Sequence, residues 1–241
     1  MKIKFNHNFH LVNYSPWPLI SSISVMSWFF SIINLMHQKN FYYFLINTLN
    51  LLIIMFLWWK DVTRESTYQG LHSMNVLNSM KLGMILFIIS EIFFFISFFW
   101  MFFHSSLSTS IELGFKWPPK NIFIFNPFLV PLLNTIILLT SGISITWAHH
   151  SLLNNNYKQF NYSMSITIIL GIYFSILQIF EYKEASFNIS DSIYGASFFL
   201  TTGFHGFHVL MGTTFLIVSF IRFLLMNFSK NHHFGFEAAA W

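Results

Sequence analysis

The 241-residue chain has no cysteine, which excludes disulfides, zinc thiolates, iron–sulfur clusters and thiolate-bound copper within it. Charge is almost as scarce. Twelve Lys and Arg and eight Asp and Glu make up 8% of the residues, against roughly a quarter in soluble domains. No Gly-x-Ser-x-Gly elbow, phosphate-cradling glycine loop or His-Glu-x-x-His pair is present, and the Glu-x-x-His pairs of a di-iron bundle are also missing. Ser90, Ser97 and Ser141 read as hydroxyls returned to backbone carbonyls, not as nucleophiles. The sequence therefore assigns no catalytic residue and no metal ligand. The basic residues never cluster with base-stacking aromatics, so nucleic acid is not an expected partner. Alanine is also rare, at six residues against 33 phenylalanines, a composition that suggests an AT-rich organellar gene.

What the chain does have is apolar length: 55% hydrophobic residues, 21% aromatic, and a mean hydropathy of +0.58. About 20 apolar residues at 1.5 Å rise cross the hydrocarbon of a bilayer. Six stretches qualify: within Ser15–Met36, within Phe41–Trp59, from Met74 to His104, within Phe128–Leu153, within Phe160–Phe180 and within Ser192–Leu224. A further apolar run starts at about residue 233 and reaches only to Trp241, too short to span, and reads as the start of a seventh helix in a fragment. The expected fold class is all-α, a polytopic transmembrane helical bundle with six complete spans and the beginning of a seventh. One membrane-embedded domain over residues 1–241 is the economical organisation, with the first two helices at about 15–60 and the next four at about 74–225. The short connections at 37–40 and 154–158 make their flanking helices antiparallel.

Lys and Arg set the orientation. One side collects Lys2, Lys4, Lys60, Arg64, Lys81, Lys158, Arg222 and Lys230. The other holds Lys39, Lys116, Lys120 and Lys183, mixed with Glu112, Glu181, Glu184 and Asp191. Eight against four places the N-terminus on the side of synthesis, cytoplasm or matrix. The first fifteen residues lack an apolar core, a small-residue cleavage site or an Arg-rich amphipathic stretch, so no cleavable presequence is read.

Glu91 is the one acid in a 30-residue stretch, Leu82–Ile111, that otherwise lacks Lys, Arg and Asp as well. It lies about 14 Å in from Leu82, near the bilayer midplane. A carboxylate there costs ~2.5 kcal/mol or more, so a protonated or partnered state is expected. Its helical neighbours Phe87, Ile88, Phe94 and Phe95 offer no partner. Ser97, Trp100 and His104 fall on the opposite side of the wheel. The reading is that the polar side packs and that Glu91 points at lipid or another subunit.

His205 and His208 stand three apart on the sixth span, with Gly203 and Gly206 across from them. Such imidazoles read as groups hydrogen-bonded to neighbours or headgroups, with a single haem or metal ligand as the sharper alternative. The glycines read as a place for a close helix approach. His149 and His150 read as interfacial caps. The segment from Trp58 to His72 pairs an aromatic belt, Trp58 and Trp59, with alternating charges. It reads either as a solvated helix end or as a phospholipid headgroup site. In the second case Arg64 and His72 donate to phosphate and Glu65 accepts from an amine, with Arg222 as a further contact if the bundle brings it near.

Several long motifs resemble cytochrome c oxidase subunit III of the mitochondrial type: WWKDVTRESTYQG at 58–70, KLGMILFIISEIFFF at 81–95, FFHSSL at 102–107, PLLNTIILLTSGISITWAHHSL at 131–152, EYKEASFNISDSIYGASFFLTTGFHGFHVLMGTTFL at 181–216 and NHHFGFEAAAW at 231–241. The resemblance implies a seven-helix bundle, with a lipid-filled cleft between the first two helices and the rest. It implies a non-catalytic core subunit that holds phospholipids and stabilises the catalytic subunit. Electrons would pass from cytochrome c to O2, with proton pumping, through haem a, haem a3 and copper carried by partner subunits I and II. It places the chain in the mitochondrial inner membrane with the N-terminus in the matrix, and matches Glu91 to the family's carbodiimide-reactive carboxylate. The equivalent subunit of a quinol oxidase stays open as an alternative. So does an independent proton channel using Glu91, although no internal repeat or broken helix pair supports it.

Overall fold

The computed structural model describes residues 9–111 and 114–241. Lys2, Lys4 and Glu112, which entered the charge count, lie outside the described residues. Six long helices are present: α1 Trp17–Gln38, α2 Phe41–Thr63, α3 Met74–Leu107, α4 Val130–Leu153, α5 Tyr157–Glu184 and α6 Ile193–Leu224. A π-helical turn, Arg64–Tyr68, prolongs α2, and a short α7, Phe234–Ala240, follows α6. All six long helices have the length and apolarity to cross a membrane, and the described residues form no strand. The spans fall where the hydropathy puts them, and most run a few residues further into the flanking polar sequence.

The helix ends follow from local chemistry. Lys39 turns left-handed (φ 54°) and its N–H closes on the Leu35 carbonyl, ending α1. The Asn40 side chain then accepts from the Tyr42 N–H to open α2, so two residues reverse the chain. Asn156 caps α5 and Ser192 caps α6 in the same way. Pro131 occupies the first turn of α4, where a missing N–H costs nothing.

The chain divides into two compact units, residues 1–80 and 81–241, the division falling inside α3. In the first, α1 and α2 meet over small side chains. Ser24 and Ser31 are buried, as is Ile54, and the Trp28 indole N–H donates to Thr48 Oγ1 at 3.0 Å. Small residues let backbones approach where lipid gives no hydrophobic drive to associate.

In the second unit α4 and α5 form the tightest pair. Ser144, Ala148, Ser151, Ser163 and Thr167 are all buried, and Ser144 and Thr167 share a hydrogen bond of 2.7 Å across the seam. At one end of this pair sits the apolar core: Ala148, Leu152, Phe160, Met164, Phe223, Phe228 and Phe236. α5 meets α6 at Gly171, where a Cβ would come within 2.5 Å of Thr213 Cγ2, and through a 2.7 Å bond between Tyr182 and Thr202. The loop at 114–129 is fixed by rings, Trp117 against Phe102 and Tyr194, and Phe125 against Phe187 and Phe198.

α3 behaves differently. No residue in its most apolar stretch is buried. Its less exposed positions still trace one stripe: Lys81, Met84, Ile88, Glu91, Phe95, Phe98, Phe102 and Ser105. Alternating steps of three and four residues keep these positions on one face.

Candidate functional site

Glu91 lies on that packed stripe, and this overturns the expectation that it points at lipid or another subunit. Its Oε2 is 2.7 Å from Nε2 of His208 on α6. Ser97 and Trp100, expected on the packed side, are exposed instead. The reason is side-chain reach. The partner comes from 117 positions away, so no count along α3 could supply it, and Phe94, Phe95 and Phe98 were available to pack beside the acid. Phe94 meets Phe204 edge-on with centroids at 5.0 Å, and Phe98 lies tilted against it at 5.2 Å. Phe95 meets the edge of His208 at 5.0 Å.

The second nitrogen of His208 settles what the pair can do. Nδ1 is 2.7 Å from the Phe204 carbonyl. A carbonyl only accepts, so Nδ1 carries a hydrogen. Nε2 then either donates to a carboxylate, as an imidazolium, or accepts from a protonated carboxyl. Either way one proton is shared and the pair is neutral as a unit. That removes most of the cost of an acid at membrane depth.

His205 does not converge with His208. Its ring meets Phe174 of α5 at 5.7 Å, beside a cleft of about 100 Å³ lined by Ile137, Ser141, Gly171 and Val209. The two glycines do not mediate the close approach expected of them. A Cβ at Gly206 would meet nothing within 4 Å, and one at Gly203 only the Tyr182 hydroxyl at 3.7 Å. The close approaches are at Gly171 and at Gly195, where a Cβ would collide with the Asn188 carbonyl oxygen.

The charged segment after Trp58 and Trp59 organises the first unit's polar end. Trp17 donates its indole N–H to Asp61 Oδ2 at 2.5 Å. Arg64 Nη2 stands 3.3 Å from Asp61 Oδ1 and is more than half exposed. Glu65 lies 3.4 Å from His10 Nε2, and the His10 and His72 rings meet edge-on at 5.2 Å. Sequence reasoning missed Trp17 and His10, whose contacts with Asp61, Glu65 and His72 tie this segment together. Arg222 belongs to the second unit, where its guanidinium lies 4.7 Å over the Phe228 ring, and a Cβ at Gly235 would come within 2.5 Å of Nη1.

A third polar group was not anticipated. His149, at the end of α4, faces His233 (centroids 5.5 Å) instead of capping its own helix. Glu237 on α7 reaches His233 Nε2 at 3.3 Å through Oε1 and Lys81 Nζ at 3.3 Å through Oε2. The sequence signal was the four-residue step from His233 to Glu237, one face of a helical turn.

A profile of the cytochrome c oxidase subunit III family matches residues 7–241. The chain is 56% identical to cytochrome c oxidase subunit 3 of Anopheles quadrimaculatus over 241 residues, all of this chain and 92% of that protein. It is equally similar, with the same coverage, to the Drosophila melanogaster protein of that name. Similarity extends to cytochrome c oxidase subunit 3 of Heterololigo bleekeri, at 53% identity over 233 residues, covering 97% of this chain and 90% of the relative. With motif, helix order and sequence in agreement over nearly the full length, the chain belongs to the cytochrome c oxidase subunit III family.

Proposed function

We propose that this chain, as a subunit of respiratory complex IV, is a non-catalytic core component that holds phospholipids and stabilises the catalytic subunit. In that role it supports electron transfer from cytochrome c to O2 and the accompanying proton pumping. Its immediate partners are subunits I and II, which carry haem a, haem a3 and copper, and it lies in the mitochondrial inner membrane with its N-terminus in the matrix. The observation that carries the reading is unspent apolar surface. Between none and 17% of the most apolar 18-residue stretch of each membrane span is buried within the chain, and side chains such as Phe29, Phe56, Phe93 and Phe99 are more than half exposed. Surface of that kind needs acyl chains or another subunit against it.

The polar end at Trp59, Arg64 and Glu65 supplies the headgroup side of the same role, because Arg64 keeps an exposed guanidinium suited to phosphate. A proton-channel reading is weaker. His208 spends Nδ1 on a backbone carbonyl, and the packed stripe around Glu91 offers Met84, Ile88, Phe95 and Phe98 instead of further relay groups. The test is lipid analysis of the purified complex carrying Arg64→Ala. Loss of a tightly bound phospholipid is expected, and an unchanged lipid complement removes the headgroup assignment.

A further inference from the structure

The cluster at the junction of α4 and α7 has no part in the lipid role, and its geometry is that of a ligand set. We propose that His149, His233 and Glu237 form a binding site for a divalent transition metal, Zn2+ by its donor set, with a water in the fourth position.

The argument begins with His233. Its Nδ1 is 3.0 Å from the Ser229 carbonyl, so Nδ1 carries the hydrogen and a neutral ring presents the Nε2 lone pair. The side chain is 6% exposed, and Nε2 has no hydrogen-bond partner among the described residues. It faces Glu237 Oε1 at 3.3 Å. A lone pair opposite a carboxylate oxygen repels unless something positive lies between them. Nε2 of His149 is likewise buried without a hydrogen-bond partner. One ligand atom from each of the three residues lies within 4.8 Å of the other two. Tetrahedral ligands at zinc bond lengths of 2.0–2.1 Å stand about 3.4 Å apart. The His233–Glu237 pair already has that spacing, and a modest ring rotation brings in His149.

The surroundings fit as well. Metal-bound imidazoles usually donate their other N–H to a carbonyl, as His233 does to Ser229. Lys81 holds Oε2 of Glu237 at 3.3 Å, which leaves Oε1 for one-oxygen ligation. Fully buried Phe236 packs against the His149 ring at 5.8 Å, giving the site one dry wall. Two imidazoles and a carboxylate suit zinc, whereas calcium and magnesium prefer all-oxygen shells. The competing occupant of the gap is a proton, which would make His233 an imidazolium paired with Glu237.

The test uses the purified oxidase complex, stripped by chelation and equilibrated with Zn2+. Wild type is expected to take up one more zinc per complex than His149→Gln or Glu237→Gln, and equal uptake overturns the proposal. Anomalous diffraction at the zinc edge from the zinc-equilibrated wild-type complex needs no variant. A peak about 2.1 Å from both Nε2 atoms and Oε1 supports the site. An empty gap assigns it to the imidazolium–carboxylate pair instead. Neither result bears on the phospholipid role, which is read from lipid content.

Discussion

α3 and the α4–α5 pair are all apolar enough to cross a membrane, yet they are held in opposite ways. Between α4 and α5 the seam is made of Ser144, Ala148, Ser151, Ser163 and Thr167, small residues that bring the backbones together. Along α3 the packed stripe is Met84, Ile88, Glu91, Phe95 and Phe98, and the helix reaches α6 through aromatic rings and one hydrogen bond. Where residues are small, dispersion over a continuous surface does the work. Where they are large, attachment is concentrated at a few points. One polar pair can then decide whether a span docks.

The difference predicts an order of sensitivity. Ala148→Leu drives a branched side chain into a site with no exposed area and should cost about 3 kcal/mol, the upper end for overpacking. It would appear as a fall in assembled oxidase and in its inactivation temperature. Full tolerance would mean the seam is looser than its burial indicates. On α3, His208→Leu leaves Glu91 with no partner at depth and should cost about 2 kcal/mol. Carbodiimide labelling of Glu91 should rise in the same variant, because its carboxyl loses the imidazole that engages Oε2. Adding Glu91→Leu should restore most of the loss, since two apolar groups replace a matched pair. A double variant no better than the single would show that the pair is not the point of attachment.

Smaller effects sharpen the contrast. Ser144→Ala with Thr167→Val removes one interhelical hydrogen bond but keeps the seam, and should cost only about 0.6 kcal/mol. Ser97→Ala, on the exposed side of α3 with its hydroxyl returned to the Phe94 carbonyl, should change stability by less than about 0.5 kcal/mol. A large effect there would mark the surface on which another subunit sits.

The two cases also show what the sequence could reveal. Hydropathy located every span, because crossing a bilayer is a one-dimensional demand. The facing of α3 was hidden because phenylalanine occupies both sides: Phe95 and Phe98 pack while Phe93 and Phe99 are exposed, and no apolar–polar contrast separates them. Glu91 stands out in the sequence as a lone acid in an apolar span. Its partner was unreadable because a contact across 117 positions is a property of the fold. Glu181 failed for a related reason. It was counted with the flanking charges, yet α5 runs on to Glu184 and leaves Glu181 only 8% exposed.

The length of α3 has a consequence for where Glu91 sits. Its 34 residues make a rod of about 51 Å. Even at the steepest tilt common for membrane helices, near 40°, such a rod covers about 39 Å of depth, more than the ~30 Å of hydrocarbon. Its ends must therefore stand in the headgroups at any angle. Glu91 is 17 residues from Met74 and 16 from Leu107, so it is the fulcrum. Rocking the helix moves both ends and leaves the acid at the centre of the bilayer. Thinner or thicker membranes would shift what surrounds the ends of α3, while the shared proton of Glu91 and His208 keeps the same depth.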